Sequence, residues 1–170
     1  GKKTIPCLPS SAGAEKTLTF EFIDELEKLL LTISYSVYRD SDVITVRSSL
    51  KNLGNKTVSV KKFASLQLDI AGANFVASTF DGCWAGERYR HDTRLCSGEF
   101  INQSLAGASS AQHNPFSLIK NESGVYAFNL VYSGNHKTSY ETDAFNRVRV
   151  ICGVNDFAFE YKLNSGETFF

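Results

Sequence analysis

Apolar and polar side chains alternate along most of this chain. In LLLTISYSVY, Leu29, Leu31, Ile33, Tyr35 and Val37 fall on one side and Thr32, Ser34 and Ser36 on the other. That period of two is the mark of a half-buried strand. TLTFEFID alternates too, with Leu18, Phe20 and Phe22 on one face. VSVKKFASLQLDI places Val58, Val60, Leu66, Leu68 and Ile70 on a shared face, with Lys62 as an interruption. VYAFNLVY and RVRVIC are short and β-branched or aromatic, and FAFEYKL groups Phe157, Phe159, Tyr161 and Leu163.

Turn chemistry separates these runs. KNLGNKT, Lys51 to Thr57, reads as a hairpin connection rich in Gly and Asn. Asp81-Gly82, Ser123-Gly124, Ser133-Gly134-Asn135 and Asn164-Ser165-Gly166 are further turn signals. DELEKLLL, Asp24 to Leu31, has helical propensity and an i,i+4 Asp24–Lys28 pair. Strand alternation abuts both its ends, so it is read as a polar hairpin loop. Leu95 to His113 is polar, Gly/Ser/Ala-rich and weakly patterned, and is the expected long excursion. Short strands with turns at this spacing predict an all-β, antiparallel sandwich in one domain.

Composition narrows the function. The chain has 170 residues, enough for one domain with a substantial core. Lys+Arg 18 balance Asp+Glu 18, which argues against a nucleic-acid partner, since phosphate binding needs a basic surplus on one face. No apolar segment is long enough to span a bilayer as a helix. GKKTIPCLPSS has the features of neither a signal nor a transit peptide, and the chain contains no methionine, so a fragment of a longer polypeptide is expected. Cys7, Cys83, Cys96 and Cys152 form no CxxC pair. They read as reduced thiols of a cytoplasmic protein rather than as metal ligands. No metal or cofactor is expected. Sequons at Asn55, Asn102 and Asn121 carry weight only in a secreted eukaryotic protein.

The densest chemistry lies in FDGCWAGERYR, Phe80 to Arg90, which holds the only tryptophan, Trp84, and the charges Glu87, Arg88 and Arg90. An independent glycosidase needs two carboxylates facing each other across a sugar. Asp81, Glu87, Asp92 and Glu99 supply carboxylates, but an ion-pair network that orders strands explains such a cluster more simply. Trp84 stacks on a sugar ring in a lectin-like interpretation. Packing in a core or an interface is weighed above it, because a lone tryptophan in a sandwich contributes much buried area. In SSAQHNPF, Ser109 to Phe116, His113 has no identifiable nucleophile. His113 and Asn114 are expected to satisfy backbone groups where a loop re-enters the sheet. His91 and His136 are expected at the surface. LAGASS lacks the lysine of a phosphate-binding loop.

Five segments, VYRDSDVITVRSSLKNLG, FDGCWAGERYRHDTRL, SSAQHNPF, VYAFNLVYSGN and GVNDFAFEYKLNSGETFF, occur here in order. Together they resemble the N-terminal domain of bacterial and fungal α-galactosidases of glycoside hydrolase family 36. The resemblance runs from about Leu29 to Phe170 and is weak over residues 1–28. It implies a supersandwich like that of galactose mutarotase, followed by a catalytic (β/α)₈ barrel beyond residue 170. It also implies hydrolysis of terminal α-galactosides of the melibiose and raffinose type with retention, by two aspartates of that barrel. No catalytic residue is therefore carried onto this chain. The implied partners are the barrel of the same polypeptide, further subunits of a homo-oligomer, and the galactoside, and the implied location is the bacterial cytoplasm. The family commonly has arginine where Gly86 stands and histidine where Ala111 stands.

On this basis Trp84, Glu87, Arg88, Arg90, His113 and Asn114 are candidates for a domain interface or pocket rim. A stand-alone galactoside-binding module and a mutarotase-like epimerase are the alternatives.

Overall fold

The computed structural model describes residues 13–109, 112–145 and 147–170. Every regular element among them is a strand. In chain order these are β1 (Lys16–Asp24), β2 (Leu29–Val37), β3 (Ile44–Asn52), β4 (Val58–Val60), β5 (Ala64–Ala71), β6 (Val76–Cys83) and β7 (Gly86–Arg94). Then follow β8 (Gly98–Gln103), β9 (Phe116–Asn121), β10 (Gly124–Asn129), β11 (His136–Thr142), β12 (Arg147–Val154), β13 (Tyr161–Leu163) and β14 (Thr168–Phe169). The expected all-β, antiparallel architecture is what the chain adopts. It divides into two compact units, one running to Ser59 and resuming at Lys162, the other spanning Val60–Tyr161.

The first unit is a sheet in the order β1-β2-β3-β14. The β1–β2 pairing sets Leu18 opposite Tyr35, Phe20 opposite Ile33 and Phe22 opposite Leu31. One face is therefore apolar, with the Phe20 ring edge-on to Tyr35 and stacked with Phe22. The other face carries hydroxyl pairs across the strands, Thr17 with Ser36 at 2.8 Å and Thr19 with Ser34 at 3.0 Å. DELEKLLL is a hairpin turn and not a helix. The Asp24 carboxylate accepts the amides of Leu26 and Glu27, and Lys28 sits at φ 56°. Those two bonds give the backbone a local alternative to helical pairing. KNLGNKT is a loop, but β4 pairs with β13, so it does not close a β3–β4 hairpin. The buried Asn52 holds that loop, donating to the carbonyls of Lys56 and Leu163 and accepting from the amide of Gly54.

The second unit contains two four-stranded sheets, β10-β9-β6-β7 and β5-β12-β11-β8. Their facing sides share a core of Ile70, Phe75, Ala77, Leu95, Ile119, Phe128, Tyr140, Val148 and Val150. Tyr140 lies at its centre. Its ring meets Phe100 and Phe128, and its hydroxyl bonds that of the buried Ser117 at 2.7 Å. Burial pushes the Tyr140 phenol well above its ordinary pKa, so it stays neutral.

Three sequence expectations need correction here. VSVKKFASLQLDI is two strands, with 61–63 between them, and Leu68 is 43% exposed although Leu66 and Ile70 reach the core. FAFEYKL contributes only β13. Asn155 Oδ1 accepts the Phe157 amide and Ala158 has φ 54°, so the chain turns and leaves Phe157 exposed. The excursion after Leu95 is shorter than its composition implied, because β8 pairs with β11 along Gly98–Gln103. Its core-facing positions include Asn102, whose polar side chain hides the alternation. That side chain donates to the Asn114 carbonyl at 2.9 Å.

Candidate functional site

FDGCWAGERYR folds as the hairpin of β6 and β7, and β7 is the edge strand of its sheet. Cys83 pairs with Gly86, which leaves Trp84 and Ala85 as the tip. Ala85 has φ 63°, the left-handed conformation that a tight turn needs at that position. Below the tip Asp81 pairs with Tyr89, so Gly82 alone opposes Glu87 and Arg88. This is a β-bulge, with Arg88 at φ 65°. A Cβ on Gly82 would press on the Gly86 carbonyl and lie 2.7 Å from the Glu87 Cα. Gly82→Ala is therefore expected to shift the bulge and destabilise the fold by about 1–3 kcal/mol, read from denaturant midpoints.

The strand alternation sorts the charged residues onto two faces. On one, Arg90 grips Asp92 through two bonds, Nε at 2.8 Å and Nη2 at 2.9 Å. Ser78 donates to Asp92 at 2.6 Å and Lys120 stands 3.7 Å away. The Arg90 bonds above all, and then Ser78, hold the Asp92 carboxyl at about 2. On the other face Asp81 lies between two imidazoles, His113 Nδ1 at 3.2 Å and His91 Nε2 at 3.6 Å.

The loop before β9 reaches the hairpin root and is fixed there. Asn114 N donates to the Phe80 carbonyl at 3.0 Å, and Asn114 Oδ1 accepts the Phe116 amide at 2.9 Å. The His113 carbonyl takes a bond from His136 Nε2 at 2.9 Å. The Asn114 side chain satisfies a backbone group at the re-entry point as expected, whereas the His113 side chain meets the Asp81 carboxylate instead. Ala111 lies outside the described residues.

His136 is not a surface residue; it is fully buried, on β11. Its Nδ1 finds no partner among the described residues, and burial holds its pKa below the ordinary value. Protonation favours the unfolded chain, so this contribution is intact above about pH 6.5 and is lost as pH falls below it. Unfolding at pH 5.5 is expected to take up more protons than at pH 7.5. A proton uptake that does not change between those values would contradict this assignment.

Trp84 requires the largest correction. It is 91% exposed, so it does not pack the sandwich core. Trp84 lies beyond the last strand pair, Cys83 with Gly86, so the alternation of the flanking strands does not assign it to a face. Glu87 and Arg88 are exposed on the bulge, and neither forms a salt bridge among the described residues. Arg90 does, within the hairpin. The six candidate residues are thus gathered at one hairpin and its root, with Trp84 and Tyr89 as exposed aromatic surface.

Sequence reasoning missed Asp81 as the link between hairpin and loop. Aligning the strands from the Trp84–Ala85 turn would have set Asp81 opposite Arg88, because the bulge that shifts it to Tyr89 has no local sequence mark. Nothing in the sequence would have brought in His113. Asp81 and Asp92 stand on opposite faces of the hairpin, so they do not face each other across a substrate. Among the described residues no cluster of three His, Cys, Asp or Glu side chains is placed to hold a metal ion.

Comparison with known proteins agrees with this architecture. The model of the glycosyl hydrolase family 36 N-terminal domain matches residues 1–164. Alpha-galactosidase Mel36A of Lactobacillus acidophilus is 35% identical, over 99% of this chain and 24% of its own length. Alpha-galactosidase AgaA of Geobacillus stearothermophilus is 32% identical, over 99% of this chain and 25% of its own length. The crystal structure of that AgaA superposes with a TM-score of 0.86 at 31% identity, covering 97% of this chain and 25% of AgaA. The alpha-galactosidase from Lactobacillus brevis superposes with a TM-score of 0.85 at 33% identity, covering 90% of this chain and 21% of that one. The chain spans about a quarter of the length of the relatives it matches. It belongs to the glycosyl hydrolase family 36 N-terminal domain family.

Proposed function

We propose that this chain is the non-catalytic N-terminal accessory domain of an α-galactosidase whose chemistry lies in a following barrel. The observation that carries this is the match of nearly the whole chain to one quarter of enzymes named alpha-galactosidase. The placement of Asp81 and Asp92 on opposite faces of the β6–β7 hairpin supports it. On this proposal the parent enzyme hydrolyses terminal α-galactosides in the cytoplasm, where Cys83, Cys96 and Cys152 remain free thiols. The domain buttresses the barrel and the oligomer. Its rigid hairpin presents Trp84, Glu87 and Arg88 to one of them, at an interface or a pocket rim. Exposed tryptophan and arginine on a fixed scaffold are the residue types that dominate interface energetics.

The exposure of Trp84 also favours a second function, a galactoside-binding module in its own right. One experiment separates the two. Trp84 is the only tryptophan, so its fluorescence reports directly on the hairpin tip. The chain alone is expected to cleave no p-nitrophenyl α-galactoside and to show no saturable emission change with raffinose or galactose. Turnover by the chain alone would overturn the accessory role. Saturable quenching without turnover would establish the binding module instead.

A further inference from the structure

β1 is the edge strand of the first unit's sheet, and among the described residues nothing pairs with its second edge. Its residues match those of β2 one for one, without a bulge, and the segment KTLTFEFID holds no Gly or Pro. Edge strands are usually blunted by charge, by bulges or by shortness. β7 follows that rule, with Glu87, Arg88, Arg90, Asp92 and Arg94 and a bulge, and β14 is only two residues long. β1 departs from it. All nine of its residues are exposed, and Leu18, Phe20 and Phe22 are 59%, 42% and 53% exposed. A long, flat, apolar edge is a template for another strand.

The charges along β1 decide which strand fits. Alternation puts Lys16, Leu18, Phe20, Phe22 and Asp24 on one face, and Thr17, Thr19, Glu21 and Ile23 on the other. On the first face Lys16 and Asp24 are opposite in sign and equally far from Phe20. A second β1, turned antiparallel about a two-fold axis at Phe20, therefore sets Lys16 against Asp24 of the copy at both ends of the ladder. Leu18 then faces Phe22, Phe20 faces Phe20, and Thr19 faces Glu21. Apolar, aromatic and opposite-charge pairs directly across a ladder are the stabilising ones. Other registers lose this match. A slip of the pairing one way sets Glu21 against Glu21 and Asp24 against Leu18. A slip the other way sets Lys16 against Phe22 and leaves Asp24 beyond the end of the ladder. A slip by a single residue sets the apolar face of one copy beside the hydroxyl face of the other.

We propose that β1 is a homodimer interface, pairing antiparallel with β1 of a second copy about a two-fold axis at Phe20. The pairing joins the two four-stranded sheets into one. The same patch serves both copies, so the contact closes at two chains. It stands on β1 alone and is independent of the roles given to Trp84 and to a following barrel.

Sedimentation velocity over a concentration series tests this, with Lys16→Glu and Asp24→Lys as the first variants. The protein is expected to dimerise reversibly. Each variant alone sets like charges opposite each other at both ends of the ladder, and is expected to raise the dimer Kd about tenfold. Mixed in equal amounts, the two variants regain opposite charges at both ends, so a mixed dimer about as tight as the parent is expected. Asp24 also caps the β1–β2 turn through the amides of Leu26 and Glu27. Phe20→Lys leaves that turn alone and places two lysines on the axis, and is expected to weaken the dimer about a hundredfold or more. Three results would overturn the proposal: a monomer at every concentration in the series, self-association unmoved by Lys16→Glu and Phe20→Lys, or a mixture of the charge variants no tighter than either variant alone.

Discussion

Tyr140→Ala is expected to cost about 3–5 kcal/mol of stability, the range of large aromatic truncations in closed cores. Tyr140 is fully buried, and its ring bridges Phe100 and Phe128. Its removal opens a cavity where the two sheets of the second unit meet, and it leaves the hydroxyl of Ser117 without its partner. Tyr140→Phe separates the two effects. It keeps the ring and orphans only Ser117, so it is expected to cost about 1–3 kcal/mol. Urea unfolding followed by far-ultraviolet circular dichroism reads both. Equal losses from the two variants would mean that the hydroxyl pair, not the ring, holds this core together.

Trp84→Ala is expected to do the reverse, leaving the fold alone and damaging the assembly. The indole touches little of its own domain, so the melting temperature of the chain should hold, with a change within about 0.5 kcal/mol. In the whole enzyme the same change is expected to remove a central contact worth about 2 kcal/mol or more, roughly a thirtyfold loss in association or in kcat/KM. Sedimentation velocity and p-nitrophenyl α-galactoside kinetics measure the two. A contact with neighbouring subunits shows as dissociation, and one at a pocket rim shows as a raised KM with assembly intact. A lowered melting temperature with both readouts unchanged would return Trp84 to a purely structural part.

The architecture was legible because period-two alternation is strong in the strands that pack a core. Val148 and Val150 in β12 reach the core, and Leu31, Ile33 and Tyr35 share one half-buried face of β2. It was misread wherever polar residues occupy inward positions or apolar ones point out. Asn102 and His136 lie inside, each tied to the loop that carries His113 and Asn114. Phe157 lies outside because a turn at Ala158 overrides its pattern. The site was legible only as a segment. The charges and the tryptophan marked the β6–β7 hairpin, but the bulge at Gly82 and Arg88 decides which side each charge takes. The approach of His113 to Asp81 joins residues 32 apart in sequence, a contact that local pattern cannot encode.

The central claim is that this sandwich serves a larger α-galactosidase. Intact-mass measurement of the native polypeptide, captured with antibody raised to this chain, tests it most directly. The expected result is a polypeptide several-fold larger than these 170 residues, with peptides that continue past Phe170 into a barrel. A mass matching 170 residues would contradict the accessory role and leave the sandwich to act alone.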